Sequence, residues 1–258
     1  MLEGIHPPSG RAGFQTRWSD FPTGAPPRRG FARLVRLLIK VVCLTYLRVF
    51  HDFRFRYSPA TPRGRSYIAL ISHTSVLDVP CLLAADPFDP PTTMVIKSEM
   101  VRVPLLGKIL QAWGAIPVDR RGQDISALRQ IRKVLVAGQG VCIAPSGTRS
   151  HDGHLGPINP VLVRLILQSD APVFPVAIVG TYECMSRRAA IPRPGKIYLE
   201  TGSEIDLRRF RGRRLTPADL EDAARALRDG LAAHLPASMQ PLPDTPVLGS
   251  YVLDEKDA

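Results

Sequence analysis

The sequence predicts an α/β fold: a mixed, largely parallel sheet flanked by helices, preceded by an amphipathic, membrane-associated helix. Three observations lead there. Apolar, β-favouring runs such as Tyr67–Ile71 and Val173–Val179 alternate with stretches of helical periodicity, the pattern of a sheet covered by helices. The Tyr67–Ile71 run is apolar throughout, like a buried parallel strand. Ahead of both, residues 31–50 combine thirteen large apolar or aromatic positions with Arg33, Arg36, Lys40 and Arg48.

With 258 residues the chain is long enough for one large domain with a full core, or two small ones. The expected division is a disordered basic tail over 1–30, the amphipathic helix over 31–50, an α/β domain over 51–240 and a C-terminal tail over 241–258. Residues 1–30 are rich in Pro, Gly and Arg with little apolar periodicity. In 31–50 the cations fall at offsets of three, four and eight, one side of a helix. Its uninterrupted apolar core is too short for a normal transmembrane span, so a helix lying in the membrane interface is expected. The competing expectation is a helix packed on the domain with a basic outer face.

Residues 51–57 alternate like a strand, and 58–64 form a loop with two prolines. After the strand Tyr67–Ile71, residues 79–85 read as a helix with Pro80 near its start, where proline is tolerated. Strands follow at Thr93–Lys97, 115–118, 141–144, Val173–Val179 and 196–200. Helical periodicity covers 98–113 on either side of Pro104, 125–137, 161–167 and 215–235, the last with Thr216 as N-cap before Pro217.

His73 sits where the first apolar strand gives way to a helix, the usual place for chemistry on an open α/β sheet. Five residues of regular helix turn through about 500°, so His73 and Asp78 meet only if His73 lies ahead of the first helical turn. A carboxylate there fixes the imidazole tautomer and raises its basicity. The bland alternative is structural: Ser75 and Asp78 have the spacing of a capping box. Two later strand-end loops, Asp119-Arg120-Arg121 and Ser146-Gly147-Thr148-Arg149, carry guanidinium groups suited to bidentate phosphate binding. Gly147 and Thr148 add backbone amides and a hydroxyl.

Thirty-four Lys and Arg against 23 Asp and Glu give a net charge of +11, which implies an anionic partner. Nucleic acid is disfavoured, because the run Arg208, Arg209, Arg211, Arg213 and Arg214 has only Phe210 interleaved and no binding motif around it; solvent or acidic lipid is the expected neighbour. Cys43, Cys81, Cys142 and Cys184 are widely spaced, which supports neither a metal site nor a disulfide framework and favours a reducing, cytosolic compartment. No apolar run follows Met1 closely, so no signal peptide is expected.

The order of these blocks resembles the glycerolipid acyltransferase family, whose best-known members are the 1-acylglycerol-3-phosphate acyltransferases. His73-Thr74-Ser75-Val76-Leu77-Asp78 is similar to the family's H-x4-D block. Lys97-Ser98-Glu99, Pro104-Leu105-Leu106-Gly107 and Gly114 through Arg120 are similar to its second. Ala144 through Ser150 is similar to its third, and Val173 through Ile178 to its fourth. H-x4-D alone is common; four blocks in order are specific. The resemblance implies a catalytic His73 oriented by Asp78, and acceptor phosphate contacts from Arg120 and Arg149. Lys97, Ser146, Gly147 and Thr148 complete the candidate substrate contacts. It also implies a lysophospholipid acceptor, an acyl-CoA or acyl-carrier-protein co-substrate with no further cofactor, and a place in phospholipid biosynthesis on the cytoplasmic face of a membrane. Two departures stand out: Ser146 replaces the third block's usual glutamate, and Ile158-Asn159-Pro160-Val161 stands where a lysine and then a glycine are usual. They leave two alternatives: a catalytically weakened, membrane-bound lipid-binding member, or an acyltransferase with a different acceptor. Acyl-enzyme catalysis by Cys81, one turn past Asp78, is a third reading.

Overall fold

The computed structural model describes residues 29–58, 65–86, 92–104, 106–118 and 125–249; residues 1–28 of the expected N-terminal tail lie outside the described residues. Helix α1 (Arg29–Phe50) leads into strand β1 (Asp52–Arg56). Then come β2 (Tyr67–Ile71), α2 (Asp78–Ala85), β3 (Thr93–Lys97), α3 (Leu106–Ala112), β4 (Ile116–Val118) and α4 (Ile125–Val136). The chain continues through β5 (Gly140–Ile143), α5 (Pro160–Ser169), β6 (Val173–Val179), α6 (Thr181–Cys184), β7 (Lys196–Thr201) and α7 (Pro217–Ala232). Around Pro104 the expected helix divides into a 3-10 segment, Ser98–Arg102, and α3, because proline removes a backbone donor and restricts the residue before it.

The sheet order is β1-β7-β6-β2-β5-β3-β4. All pairs are parallel except β6 with β7. From β2 the chain moves beyond β5 to β3 and β4, returns through β5, then crosses to β6 on the other side. The direction of winding therefore reverses around β2, which places a crevice at its carboxyl end.

Both faces of the sheet are covered, which is why β2 and β6 are apolar throughout. Successive side chains point to opposite faces. Ile68, Leu70, Val173 and Ala177 join one core with Ile131 of α4, Ile166 of α5 and Leu227 of α7. Ala69, Ile71, Phe174 and Ile178 join the other with Leu47 of α1, Cys81 and Leu83 of α2. Each large aliphatic side chain fully buried in this way contributes about 1.5–3 kcal/mol.

The outward face of α1 is mainly apolar, with Arg33 and Arg48 also exposed on it. Leu34, Leu37, Leu38, Val41, Val42 and Val49 are all more than half exposed, while Leu47 is fully buried. The Lys40 ammonium turns toward the domain and donates to the Asp86 carbonyl at 2.9 Å, beside the C-terminus of α2. At 100° per residue, Arg33, Arg36 and Lys40 lie along one flank of the exposed apolar stripe. Among the described residues no helix is long and apolar enough to cross a membrane.

The arginine-rich run is largely tied back to the domain. Arg208 pairs with Asp206, Arg211 donates to the Asp170 and Ala171 carbonyls, and Arg213 pairs with Asp219. Residues 241–249, expected to be part of a tail, pack against the domain instead. Val247 accepts from the Ile158 amide at 2.9 Å, and Leu248 pairs with Ile158 as a parallel bridge. The proline-rich sequence there, without helical or strand periodicity, hides this, because its partners are backbone groups some ninety residues earlier.

Helix α7 starts with a full capping box between Thr216 and Asp219. The Thr216 amide, the Arg213 guanidinium and the Thr216 hydroxyl hold Asp219 at about 2. Thr216→Ala is expected to lower unfolding stability by about 1 kcal/mol in urea titrations. Because Asp219 titrates below its ordinary value in the folded state, its contribution is complete above about pH 4 and is lost as pH falls toward 2. The difference between wild type and variant is therefore expected to shrink across that interval.

Candidate active site

The site begins where β2 ends. Ser72 extends the β2–β6 pairing by one step: its amide donates to the Val176 carbonyl, its hydroxyl donates to the Ile178 carbonyl at 3.1 Å, and the Ile178 amide donates to that hydroxyl at 2.8 Å. The next residue, His73, leaves the sheet five residues before the start of α2.

Asp78, the first residue of α2, is fully buried and its carboxylate accepts four hydrogen bonds. Oδ2 accepts from His73 Nδ1 at 2.8 Å, from the Thr74 amide at 2.8 Å and from the Ser75 amide at 2.9 Å. Oδ1 accepts from the Thr181 hydroxyl at 2.6 Å. A carboxylate accepts only, so Nδ1 of His73 carries the proton, and the lone pair of the neutral ring lies on Nε2. The capping reading and the catalytic reading of Asp78 thus describe one side chain. Its carboxylate reaches back to the Ser75 amide as in a capping box. The Ser75 hydroxyl, however, accepts from the Leu77 amide and donates to the Met185 carbonyl at 2.6 Å.

The loop after β5 docks onto this turn, its Ser150 amide donating to the His73 carbonyl at 2.8 Å. Gly147 has φ 68°, in the left-handed region that glycine occupies at no steric cost, and its amide closes a turn onto the Ala144 carbonyl at 2.9 Å. Ser146 is engaged inside the loop, its hydroxyl donating to the Thr148 carbonyl at 2.9 Å.

His73, Ser146, Thr148 and Arg149 line one cavity of about 310 Å³. Asp78 lies buried behind His73, and Gly147 shapes the loop. Lys97 lies at the end of β3, two strands from β2, with its ammonium 3.9 Å from Glu99, and is not among the residues lining that cavity. Arg120 lies outside the described residues.

Thr181 is the contact that the sequence reading missed. It follows Gly180, whose φ is 89° and where a Cβ would lie 2.0 Å from the Lys196 carbonyl oxygen, so only glycine fits there. That turn directs Thr181 back under Asp78, 103 residues away in sequence. The only signal was a Gly-Thr pair directly after a strand. Cys81 is fully buried, and burial, followed by the charge of Asp78, pushes its thiol well above the usual range. A thiol held protonated and away from solvent is not a nucleophile, which argues against an acyl-enzyme.

Residues 52–179 match the family model described as Acyltransferase. The chain belongs to the glycerolipid acyltransferase family. It is 28% identical over 191 residues to a 1-acyl-sn-glycerol-3-phosphate acyltransferase of Limnanthes douglasii, covering 73% of this chain and 65% of that protein. A probable 1-acyl-sn-glycerol-3-phosphate acyltransferase of Mycoplasma pneumoniae is 22% identical over 181 residues, covering 68% and 66%. The chain thus spans slightly under two-thirds of the length of these curated relatives. The fold is shared with the crystal structure of PlsC, the 1-acyl-sn-glycerophosphate acyltransferase of Thermotoga maritima. Its TM-score is 0.62 at 22% identity, with 78% of each chain covered.

Removing the Thr181 hydroxyl leaves Asp78 Oδ1 without its described donor. Thr181→Val is expected to cost about 1–3 kcal/mol in chemical denaturation, and Thr181→Ser to recover most of it. Equal stability of Thr181→Val and wild type would show that Asp78 does not need this bond.

Proposed function

We propose that this protein transfers an acyl group from an acyl-CoA or acyl-carrier-protein thioester to the hydroxyl of a lysophospholipid. An acceptor such as 1-acylglycerol 3-phosphate, used in phospholipid biosynthesis on the cytoplasmic face of a membrane, fits the reading. One observation carries it: the 2.8 Å hydrogen bond from His73 Nδ1 to the buried Asp78, in a cavity that Arg149 and the loop after β5 also line. The names of the relatives point the same way.

In this reading His73 Nε2 takes the proton of the acceptor hydroxyl as its oxygen attacks the thioester carbonyl. The tetrahedral intermediate collapses with cleavage of the carbon–sulfur bond, and the imidazolium returns the proton to the departing thiolate. The thioester is already activated, so no covalent enzyme intermediate is required. Base catalysis of this kind contributes about 10²–10⁴-fold, and positioning supplies more. Arg149, Thr148 and Arg120 are the proposed contacts to the acceptor phosphate, with Lys97 as a further substrate contact. Ser146 supports the loop, and Asp78 orients His73 without it, which favours a working enzyme over a weakened, lipid-binding member.

The same reading gives α1 its role. Its exposed apolar stripe enters the acyl boundary of a bilayer, and Arg33 and Arg36 along the flank reach anionic head groups.

His73→Ala is expected to lower acyl transfer from a labelled acyl-CoA to a lysolipid panel by at least about 10²-fold, with the melting temperature and vesicle binding retained. A variant that keeps more than about a tenth of the rate contradicts the general-base role. Cosedimentation with anionic vesicles tests α1. Changing Leu34, Leu38 and Val41 together to Gln is expected to weaken binding at every salt concentration. Arg33→Gln with Arg36→Gln is expected to matter mainly at low salt, where each cation near an acidic surface contributes about 1 kcal/mol.

A further inference from the structure

We propose that residues 185–195, the connection from α6 to β7, form a second bilayer contact that inserts Ile191 beside the catalytic cavity. The inference builds on the membrane role given to α1 above and adds a separate part of the chain to it. Ile191 is 77% exposed, and a lone exposed isoleucine is ordinary on a protein surface. Its setting is what marks it. It stands in Arg187-Arg188-Ala189-Ala190-Ile191-Pro192-Arg193, an apolar tip between cations. From Thr181 to Tyr198 four cations, Arg187, Arg188, Arg193 and Lys196, stand against one carboxylate, Glu183. Arg188 and Arg193 are exposed and make no ion pair among the described residues, unlike Arg208 and Arg213, which their carboxylates hold back.

The tip is presented by a closed loop. The Arg193 amide donates to the Cys184 carbonyl at 2.7 Å and the Ala189 amide to the Ser186 carbonyl at 3.0 Å, so both limbs are pinned. A loop fixed in this way gives up little conformational freedom when it meets a surface. Its base lies against the end of α1. The Gly195 carbonyl accepts from the Asp52 amide at 2.9 Å, and Cys184 shares a buried core with Leu47. Val49 and Phe50, both more than half exposed, belong to that last turn of α1. Because β7 starts where β6 ends, the loop base and the last turn of α1 are neighbours at the carboxyl end of β2 and β6.

On its other side the loop holds the site. The Met185 carbonyl accepts from the Ser75 hydroxyl at 2.6 Å, within the turn that carries His73. Arg187 donates to Nε2 of His151 at 2.9 Å, and His151 lines the cavity. An anionic bilayer suits both parts of the loop: head-group phosphates take Arg188 and Arg193, and the acyl boundary takes Ile191. An acidic protein would answer the cations as well, but the exposed apolar face of the neighbouring helix favours lipid. Seated this way, the cavity rim lies at the layer in which a lysophospholipid acceptor is dissolved.

The test places an environment-sensitive nitrobenzoxadiazole probe on Ile191→Cys, Leu38→Cys and Val136→Cys, each in the full chain and corrected for labelling of wild type. Val136 is 80% exposed but closes α4 just before the amino end of β5, the opposite end of the sheet from His73. With vesicles of phosphatidylglycerol and phosphatidylcholine, the probes at 191 and 38 are expected to brighten at least about twofold, and the probe at 136 to stay unchanged. Ile191→Gln is expected to weaken vesicle partition about tenfold at every salt concentration. Arg188→Gln with Arg193→Gln is expected to weaken it about tenfold at low salt and little at high salt. Acylation of a vesicle-embedded lysolipid is expected to fall with partition in Ile191→Gln, while a short-chain acceptor dissolved as monomers keeps its wild-type rate. A dark probe at 191 beside a bright one at 38 overturns the loop contact and leaves the α1 reading standing; the reverse supports the loop and overturns α1. Silence at both overturns both. Equal brightening at 136, or brightening at 191 with acyl-carrier protein and not with vesicles, overturns the bilayer assignment. An equal loss on the short-chain acceptor shows that Ile191 supports the fold of the site, and overturns it as a membrane contact. If wild type acylates no lysolipid, the acyl-transfer reading falls, and the probe alone judges the loop.

Discussion

The buried carboxylate of Asp78 is the constraint on which the rest of the site depends. Four donors converge on it: two amides of the 74–75 turn, the imidazole of His73, and the hydroxyl of Thr181. A buried charge without partners costs several kcal/mol, so the fold must bring these donors together or lose stability. Three of them come from the segment leaving β2 and one from the segment leaving β6. The ends of those strands must therefore stay in register, and Ser72 pairs them through its hydroxyl one step beyond the sheet. Sheet register and imidazole orientation are one requirement.

What was legible in the sequence was local. His73 and Asp78 lie within one turn, the strand before them is a continuous apolar run, and the Ser146–Arg149 loop follows another strand. The strands at Tyr67–Ile71, Thr93–Lys97 and Val173–Val179 lie where the residues placed them. Thr181 was not legible, because its partner is 103 residues away and its position depends on the backbone of Gly180. The C-terminal segment was hidden for the same reason: a proline-rich stretch with turn chemistry looks like a tail until the carbonyls and amides it pairs with are known. The direction of α1 was also hidden. A stripe of cations suggests an outer face, but Lys40 finds a carbonyl on the domain, and the apolar residues face outward.

Helix α2 connects these features. Its first residue is Asp78, and the Asp86 carbonyl at its C-cap receives Lys40 from α1. Its buried face, Cys81 with Leu83 and Ala84, packs in the same core as Leu47. Eight residues thus join the exposed apolar helix to the imidazole, with few internal degrees of freedom. The low number of polar groups between them is consistent with a strut that holds distance and not with a relay of charge.

The joint between α1 and β1 is a single residue. His51 is buried, its amide still bonded to the Leu47 carbonyl and its carbonyl already bonded to the Phe53 amide. No slack chain separates helix from sheet, so α1 cannot swivel without dragging the edge strand. If α1 rests on a surface as proposed, the mouth of the cavity meets that surface at one attitude. The rotational entropy of aiming that mouth is then spent once, during folding, and not again at each encounter with a molecule held in that surface.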